Sequence, residues 1–264
     1  MNSYDGSNKS ADFLGLRGRA ALVTGGSRGI GRAVAEKLSV LGVDVAVNYV
    51  RDEAAAAQTA RLVENQGVRA QTVRGDVRSL TGARAAVLAT LESFGRIDFL
   101  VCNAGIWEGA PLDSHSEELW QRVLDTNLKG TWTICREAVP HMRGRGFGRI
   151  VIISSTAGQR GEANYSSYAA SKGGQISLMK SLATELAPDG INVNAVAPGW
   201  VETEMTARAF AEPAERARIE ASIPLGRVAS AEDVAWPVAF LCSDWARHIT
   251  GEVLGVNGGS VLCS

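Results

Sequence analysis

The chain has 264 residues, enough for one large α/β domain or two smaller ones, and 45% of them are hydrophobic. Its formal net charge of -1 argues against nucleic acid or an anionic membrane surface as an electrostatically recruited partner, and leaves small-molecule chemistry as the expectation. No run approaches the roughly 20 apolar residues of a membrane span.

Residues 1–14 begin polar and lack an apolar core of signal-peptide length, so they read as a flexible tail on a single domain spanning 15–264. A short apolar run from Arg19 to Thr24 breaks into Gly25-Gly26-Ser27-Arg28-Gly29-Ile30-Gly31 and then a helical period through Val34, Leu38 and Leu41. This is strand, glycine turn, helix. Such a turn aims bare backbone N–H groups and the positive end of a helix at one point, which suits a pyrophosphate. The spacing is Thr-Gly-x-x-x-Gly-x-Gly; the usual dinucleotide fingerprint would need a third glycine where Val34 stands. A second strand, Val43 to Tyr49, ends in Asn48-Tyr49-Val50-Arg51 with no acid before Asp52. An acid there would take a ribose 2′-hydroxyl and an arginine a 2′-phosphate, so Arg28 and Arg51 favour NADP(H). NAD(H) is the alternative if Asp52 or Glu53 neutralises Arg51.

A helix is expected from Glu53 to Gln66, a third strand from Val68 to Arg74 closed by Asp76 and Val77, and a helix from Ser79 to Phe94. The fourth strand, Asp98 to Cys102, ends in Asn103-Ala104-Gly105, whose small residues let the chain pass close to a ligand. One long amphipathic helix is expected from Ser116 to Met142; Asn127, in its middle, is either a capping or core hydrogen bonder or a site residue. The arginine–glycine run from Arg143 to Arg149 resembles a nucleic-acid-binding repeat, but between a helix end and the strand Ile150 to Ile153 it reads as a turn. Ser154-Ser155 follows, then a loop with Gln159, Arg160, Glu162 and Asn164, then a helix to about Leu186. The sixth strand, Ile191 to Val196, runs to Pro198-Gly199-Trp200. The stretch 200–222, charged and broken by Pro213, suits a mobile lid of short helices. A helix from Ala231 to Leu241 and a strand around Val253 to Val256 finish a βα alternation without a linker, so the fold class is α/β, one doubly wound domain.

The four cysteines, Cys102, Cys135, Cys242 and Cys263, lack the pairing of a zinc site or redox dithiol and read as reduced, which with the missing signal peptide points to a cytoplasmic setting. His115, His141 and His248 have no second ligand at metal spacing, so no metal is expected. Tyr168 and Lys172, four residues apart, return to one helix face, where an ammonium would favour the phenolate and make tyrosine a usable acid near neutrality.

Thr24 to Gly31, Asn103-Ala104-Gly105, Asn127, Ser155, Tyr168-x-x-x-Lys172 and Pro198-Gly199, in this order along nearly the whole chain, resemble the short-chain dehydrogenases/reductases. The resemblance implies a single Rossmann domain with a seven-stranded parallel sheet ordered 3-2-1-4-5-6-7. It also implies a catalytic tetrad. Tyr168 would exchange a proton with the carbonyl oxygen while hydride passes to or from the nicotinamide. Lys172 would lower the tyrosine's pKa and hold the ribose, Ser155 would bond the carbonyl oxygen, with Ser154 as fallback, and Asn127 would hold a proton-relaying water. The implied cofactor face comprises Gly25, Ser27, Arg28, Gly29, Ile30 and Gly31, Asn48, Tyr49 and Arg51 at the ribose and phosphate, and Asp76 and Val77 at adenine. Asn103, Ala104 and Gly105 would lie along the ribose, with Pro198, Gly199, Val201 and Thr203 near the carboxamide.

Within that family the chain is similar to 3-oxoacyl-carrier-protein reductases, through Thr-Gly-Gly-Ser-Arg-Gly-Ile-Gly, Asn48-Tyr49 and Ala197 to Thr203. Where those enzymes tend to carry an arginine for the acidic carrier, this chain has Asp189; Arg143, Arg145 and Arg149 are the residues that would compensate. The runner-up is an NAD(P)-dependent dehydrogenase of a small alcohol, sugar or hydroxy-ester, with Trp107, Glu108, Arg160, Glu162, Tyr165 and Trp200 lining its pocket. A rival of another class is a nucleotide-sensing scaffold without turnover. The resemblance further suggests a homotetramer pairing the helices that carry Asn127 and Tyr168 and the C-terminal strands.

Overall fold

The strands form because they are continuous apolar runs buried on both faces, the pattern of a parallel sheet covered by helices on each side. In the computed structural model, which describes residues 12–262, the first half of the chain is β1 (Ala20–Val23), α1 (Gly29–Val40), β2 (Asp44–Tyr49), α2 (Glu53–Glu64), β3 (Ala70–Arg74), α3 (Leu80–Phe94), β4 (Phe99–Cys102), α4 (Glu117–Leu124) and α5 (Gly130–Arg143). The second half is β5 (Gly148–Ile153), α6 (Ala157–Arg160), α7 (Ser166–Leu186), β6 (Ile191–Pro198), β7 (Val201–Glu202), α8 (Pro213–Ala221), β8 (Ala229–Ser230), α9 (Ala231–Cys242) and β9 (Val253–Val256). The readings for residues 1–11 and Cys263 lie outside the described residues. Leu14, assigned from sequence to the tail, packs against the core, and its carbonyl accepts from the Asp244 N–H at 2.8 Å.

Seven strands pair in the order β3-β2-β1-β4-β5-β6-β9, every neighbour parallel. This is the expected topology, with the last strand labelled β9 because β7 and β8 form a separate two-stranded ribbon. One core face packs the sheet against α1, α2 and α9 through residues such as Val34, Leu38, Val63 and Val238. The other packs it against α3, α5 and α7 through Val87, Ile134, Met142 and Met179. The order reverses between β1 and β4, and a crevice opens there beyond the strands' carboxyl ends. Helix ends follow their local chemistry: the Ser79 hydroxyl accepts from Gly82 N–H to start α3, Gly95 ends it at φ 72°, and Ser230 and Asp233 form a capping box on α9.

The single helix expected from Ser116 to Met142 is interrupted by a π turn, Asp125–Lys129. The wider turn frees the Asn127 carbonyl for two side chains, Thr131 Oγ1 at 2.8 Å and Gln175 Nε2 at 2.9 Å. Its fully buried side chain is thereby turned toward the crevice loop. The arginine–glycine run is a turn, as expected, with Gly146 at φ 63°, although β5 begins two residues earlier than the expected Ile150.

The stretch 200–222 contributes β7, a series of turns and α8. With the segment up to β8 it holds its own small apolar cluster, Ile219, Ile223 and Val228 against Trp200 and Phe210. Arg216 ties it internally to Glu202 at 2.9 Å and Glu220 at 3.0 Å.

Candidate active site

The glycine turn is built for a close approach. Gly25 and Gly29 sit at φ 61° and 52°, and a methyl group on Gly31 would overlap the Gly25 carbonyl and the Asn103 amide. The first turn of α1 carries no acid, and Arg28 at its N-cap makes no side-chain cap, so the helix's N-terminal N–H groups stay available to an anion. Arg28 and Arg51 are both exposed. Asp52 does not neutralise Arg51; its side chain caps α2 by accepting from Ala55 N–H at 2.9 Å. These residues fit the phosphates of a nicotinamide dinucleotide.

Several expected cofactor residues serve the frame. The buried Asn48 amide donates to the carbonyls of Val73 at 3.2 Å and Gly75 at 3.0 Å, and Tyr49 is buried in the core. The Asp76 carboxylate is held by Arg78, 2.6 Å away, which keeps it below its ordinary pKa. Val77 is buried against Gly130. The Asn103 amide donates to the carbonyls of Thr24 and Gly25, both at 3.0 Å, while Thr24 Oγ1 accepts from the N–H groups of Asn103 and Ala104. These bonds lock the glycine turn of β1 to the end of β4.

Beyond β4, β5 and β6 lies a cavity of about 350 Å³, lined by Ser155, Tyr168, Lys172, Gly105, Pro198, Gly199, Val201 and Thr203 among others. Four of the six expected pocket residues also line it: Trp107, Arg160, Glu162 and Trp200. Tyr165 lies behind, stacked on Trp107 at 4.6 Å with 6° between planes. Glu108 does not line it; its carboxylate pairs with Arg122 at 2.6 Å. Ile106, Thr156, Met205, Thr206, Ser222 and Ser260 were not expected. They are ordinary residues on separate loops, and only the Thr203–Thr206 neighbourhood carried a sequence signal.

Lys172, buried on α7, donates its ammonium to the Ile153 carbonyl at 2.7 Å and stands 5.7 Å from the centre of the Tyr168 ring. Burial pushes it down to about 7. Tyr168 is pushed up to about 12, first by burial, against a hydrogen bond with Ser155 that lowers it, and with help from the Glu162 charge. The expected lowering by Lys172 is therefore not what governs this site. Desolvation acts on both groups, and the ammonium spends its shortest bond on a carbonyl. Ser154 is buried and donates to the Lys172 carbonyl at 2.9 Å, which makes it a helix anchor. Ser155 faces the cavity, its oxygen accepting from Ala157 N–H at 3.1 Å. Asn127 donates to the Ile106 carbonyl and to Ser171 Oγ, both at 3.0 Å, and accepts from Ile106 N–H at 2.8 Å. It meets Lys172 only across Gly105, where a methyl group would lie 3.2 Å from Asn127 Oδ1 and 3.7 Å from Lys172 Nζ.

A family model described as enoyl-(acyl carrier protein) reductase matches residues 25–260. A 3beta-hydroxysteroid dehydrogenase 1 from Eggerthella lenta is 42% identical over 248 residues, covering 94% of this chain and 95% of that one. The 3-oxoacyl-acyl-carrier-protein reductase FabG of Aquifex aeolicus is 42% identical over 244 residues, covering 92% and 98%. The crystal structure of a candidate short-chain alcohol dehydrogenase from Sinorhizobium meliloti 1021 superposes with a TM-score of 0.90 at 37% identity, covering 93% and 97%. With the family's topology, the ordered motifs and these relatives in agreement, the chain belongs to the short-chain dehydrogenase/reductase family and is an oxidoreductase acting on carbonyl or alcohol groups.

Proposed function

We propose that the protein interconverts a carbonyl and a secondary alcohol with NADP(H), using Tyr168 as general acid–base. The observation that carries this reading is that Tyr168, Ser155 and Lys172 line one cavity together with Pro198, Gly199 and Ile30 of the glycine turn. A bound nicotinamide cofactor supplies or accepts the hydride. Tyr168, kept protonated by burial, gives its proton to the substrate oxygen, and Ser155 donates a hydrogen bond as charge develops there. Lys172, fixed by Ile153, replaces that proton and reaches the nicotinamide ribose. Asn127 orders a water on the way to it; the side-chain-free space at Gly105 supports this role. The uncapped α1 N-terminus holds the pyrophosphate, and Arg28 and Arg51 hold the 2′-phosphate.

The first substrate class to test is the 3-oxoacyl thioester, as the FabG relatives are named. One observation favours the runner-up, a free alcohol, sugar or hydroxy-ester. Of the three arginines that could greet an acidic carrier, Arg143 is already paired with Asp189 at 2.7 Å, and Arg149 is buried over the Phe147 ring. A homotetramer is the assembly we propose; half-exposed Trp120 and Trp132 on the α4–α5 side and Trp236 on α9 support it.

The test is a tryptophan fluorescence titration with NADPH and NADH, repeated on Arg51→Asp, followed by turnover of acetoacetyl thioesters and of free ketones. The expected result is NADPH preference erased by the substitution. NADH preference untouched by it would overturn the cofactor assignment.

A further inference from the structure

We propose that Glu162, set beside the indoles of Trp107 and Trp200, selects substrates that carry a hydrogen-bond donor, a hydroxyl or a protonated amine, remote from the reacting carbonyl, and disfavours those carrying an anion there. The inference rests on the carbonyl–alcohol reading of the cavity and extends it to a substrate class.

Glu162 is the one carboxylate among the described residues that line the cavity. It is half-buried, and burial raises its pKa, so the carboxylate is held where water only partly solvates it. Its partner is the Trp107 indole N–H at 3.4 Å, a long bond that leaves most of the acceptor capacity of two oxygens unspent. A role confined to pinning Trp107 would call for a shorter bond, and the stack on Tyr165 already fixes that ring.

The surroundings specify what would complete it. Trp107 and Trp200 meet at 88° with ring centres 5.6 Å apart and line the same cavity, forming an aromatic corner beside the carboxylate. Such a corner takes the apolar body of a substrate, and an ammonium gains further from the ring faces. Arg160 also lines the cavity, but its pull on Glu162 is weaker than the effect of burial. The Glu162 charge also reaches Tyr168 and helps to keep the phenol protonated, so this wall and the reacting end of the cavity are within electrostatic range of each other. An anionic substrate group on this wall would face Glu162 across a poorly solvated gap.

The test uses one ring with four substituents: cyclohexanone, 4-hydroxycyclohexanone, 4-aminocyclohexanone and 4-oxocyclohexanecarboxylate. Each is assayed for NADPH-dependent reduction and, separately, for binding to the NADP⁺ complex by quenching of tryptophan fluorescence. The hydroxy and amino ketones should exceed the carboxylate by about tenfold or more in kcat/KM and in affinity, with Glu162→Gln compressing the series to about threefold. An amino ketone ahead of the hydroxy ketone would identify the ammonium as the preferred donor; the reverse order would identify the hydroxyl. Binding that follows this series without turnover would uphold the donor preference and remove the redox reading. A carboxylate that binds best would make Arg160 the anchor and overturn the proposal, as would a series that Glu162→Gln leaves unchanged while circular dichroism shows the fold intact.

Discussion

The Lys172 ammonium donates to the Ile153 carbonyl at 2.7 Å, so the helix that bears Tyr168 is tied to the last residue of β5 by an ammonium 5.7 Å from the centre of the Tyr168 ring. Two of the three side chains proposed to react are thereby placed by one bond between a helix and a strand end. Ser155, two residues beyond that carbonyl, is placed by the same strand.

Burial of Lys172 gives stability a pH dependence with a definite sign. Its folded pKa is about 7 against an ordinary 10.5, so the cost of burying the ammonium is present in full below pH 7 and is relieved as pH rises from about 7 to 10.5. Tyr168, raised from 10 to about 12, acts in the opposite sense and only above pH 10. Lys172→Met should therefore stabilise the cofactor-free protein at pH 6, by roughly 1–3 kcal/mol, and by less at pH 9.5. Thermal unfolding of both proteins at the two pH values measures this; an equal effect at both would refute it.

Tyr168→Phe removes the proton and leaves the ring. Turnover should fall about a hundred- to ten-thousand-fold while NADPH affinity, read by fluorescence, stays within about twofold. Full biological activity of the variant in cells would instead favour the nucleotide-sensing scaffold.

The stretch 200–222 places an acid at the glycine turn, where the proposed pyrophosphate would sit. A Glu204 carboxylate oxygen lies 3.6 Å from where a methyl group on Gly29 would sit, at the start of α1. Glu204→Gln should tighten NADPH and NADH alike, by about two- to fivefold at low salt and less at high salt. Tightening of NADPH alone would put Glu204 at the 2′-phosphate.

Gly109 is required by a close approach of two pocket loops. A methyl group there would overlap the Asn164 carbonyl and come within 2.5 Å of the Tyr165 ring, and Asn164 itself sits at φ 66°, a conformation asparagine tolerates. Gly109→Ala should lower stability by about 1–3 kcal/mol and alter the near-ultraviolet signal of the Trp107–Tyr165 stack. An unchanged spectrum and melting temperature would show that the loops separate freely.

The parts of the site that follow one local rule were legible. The glycine turn needs left-handed backbone and bare N–H groups, and it reads directly as Thr24 to Gly31. Tyr168 and Lys172 share a helix face by spacing alone. Asn48, Asp76 and Val77 were harder. The resemblance implied a place for them on the cofactor face; the structure adds that Asn48 donates to strand-end carbonyls, Asp76 pairs with Arg78 and Val77 packs in the core, with partners about 25 residues, two residues and about 53 residues away respectively. Glu108 was drawn out of the pocket by Arg122 in the same way.

By itself the sequence determined the α/β alternation, the single domain, the glycine turn and the order of the candidate site residues, because periodicity, glycine geometry and helix spacing act over a few residues. The tertiary structure decided which polar groups face the cavity, the π turn that aims Asn127, and the protonation balance of Tyr168 and Lys172. Those depend on burial and on hydrogen-bond partners brought together from distant strands and loops, and desolvation has no counterpart in local sequence.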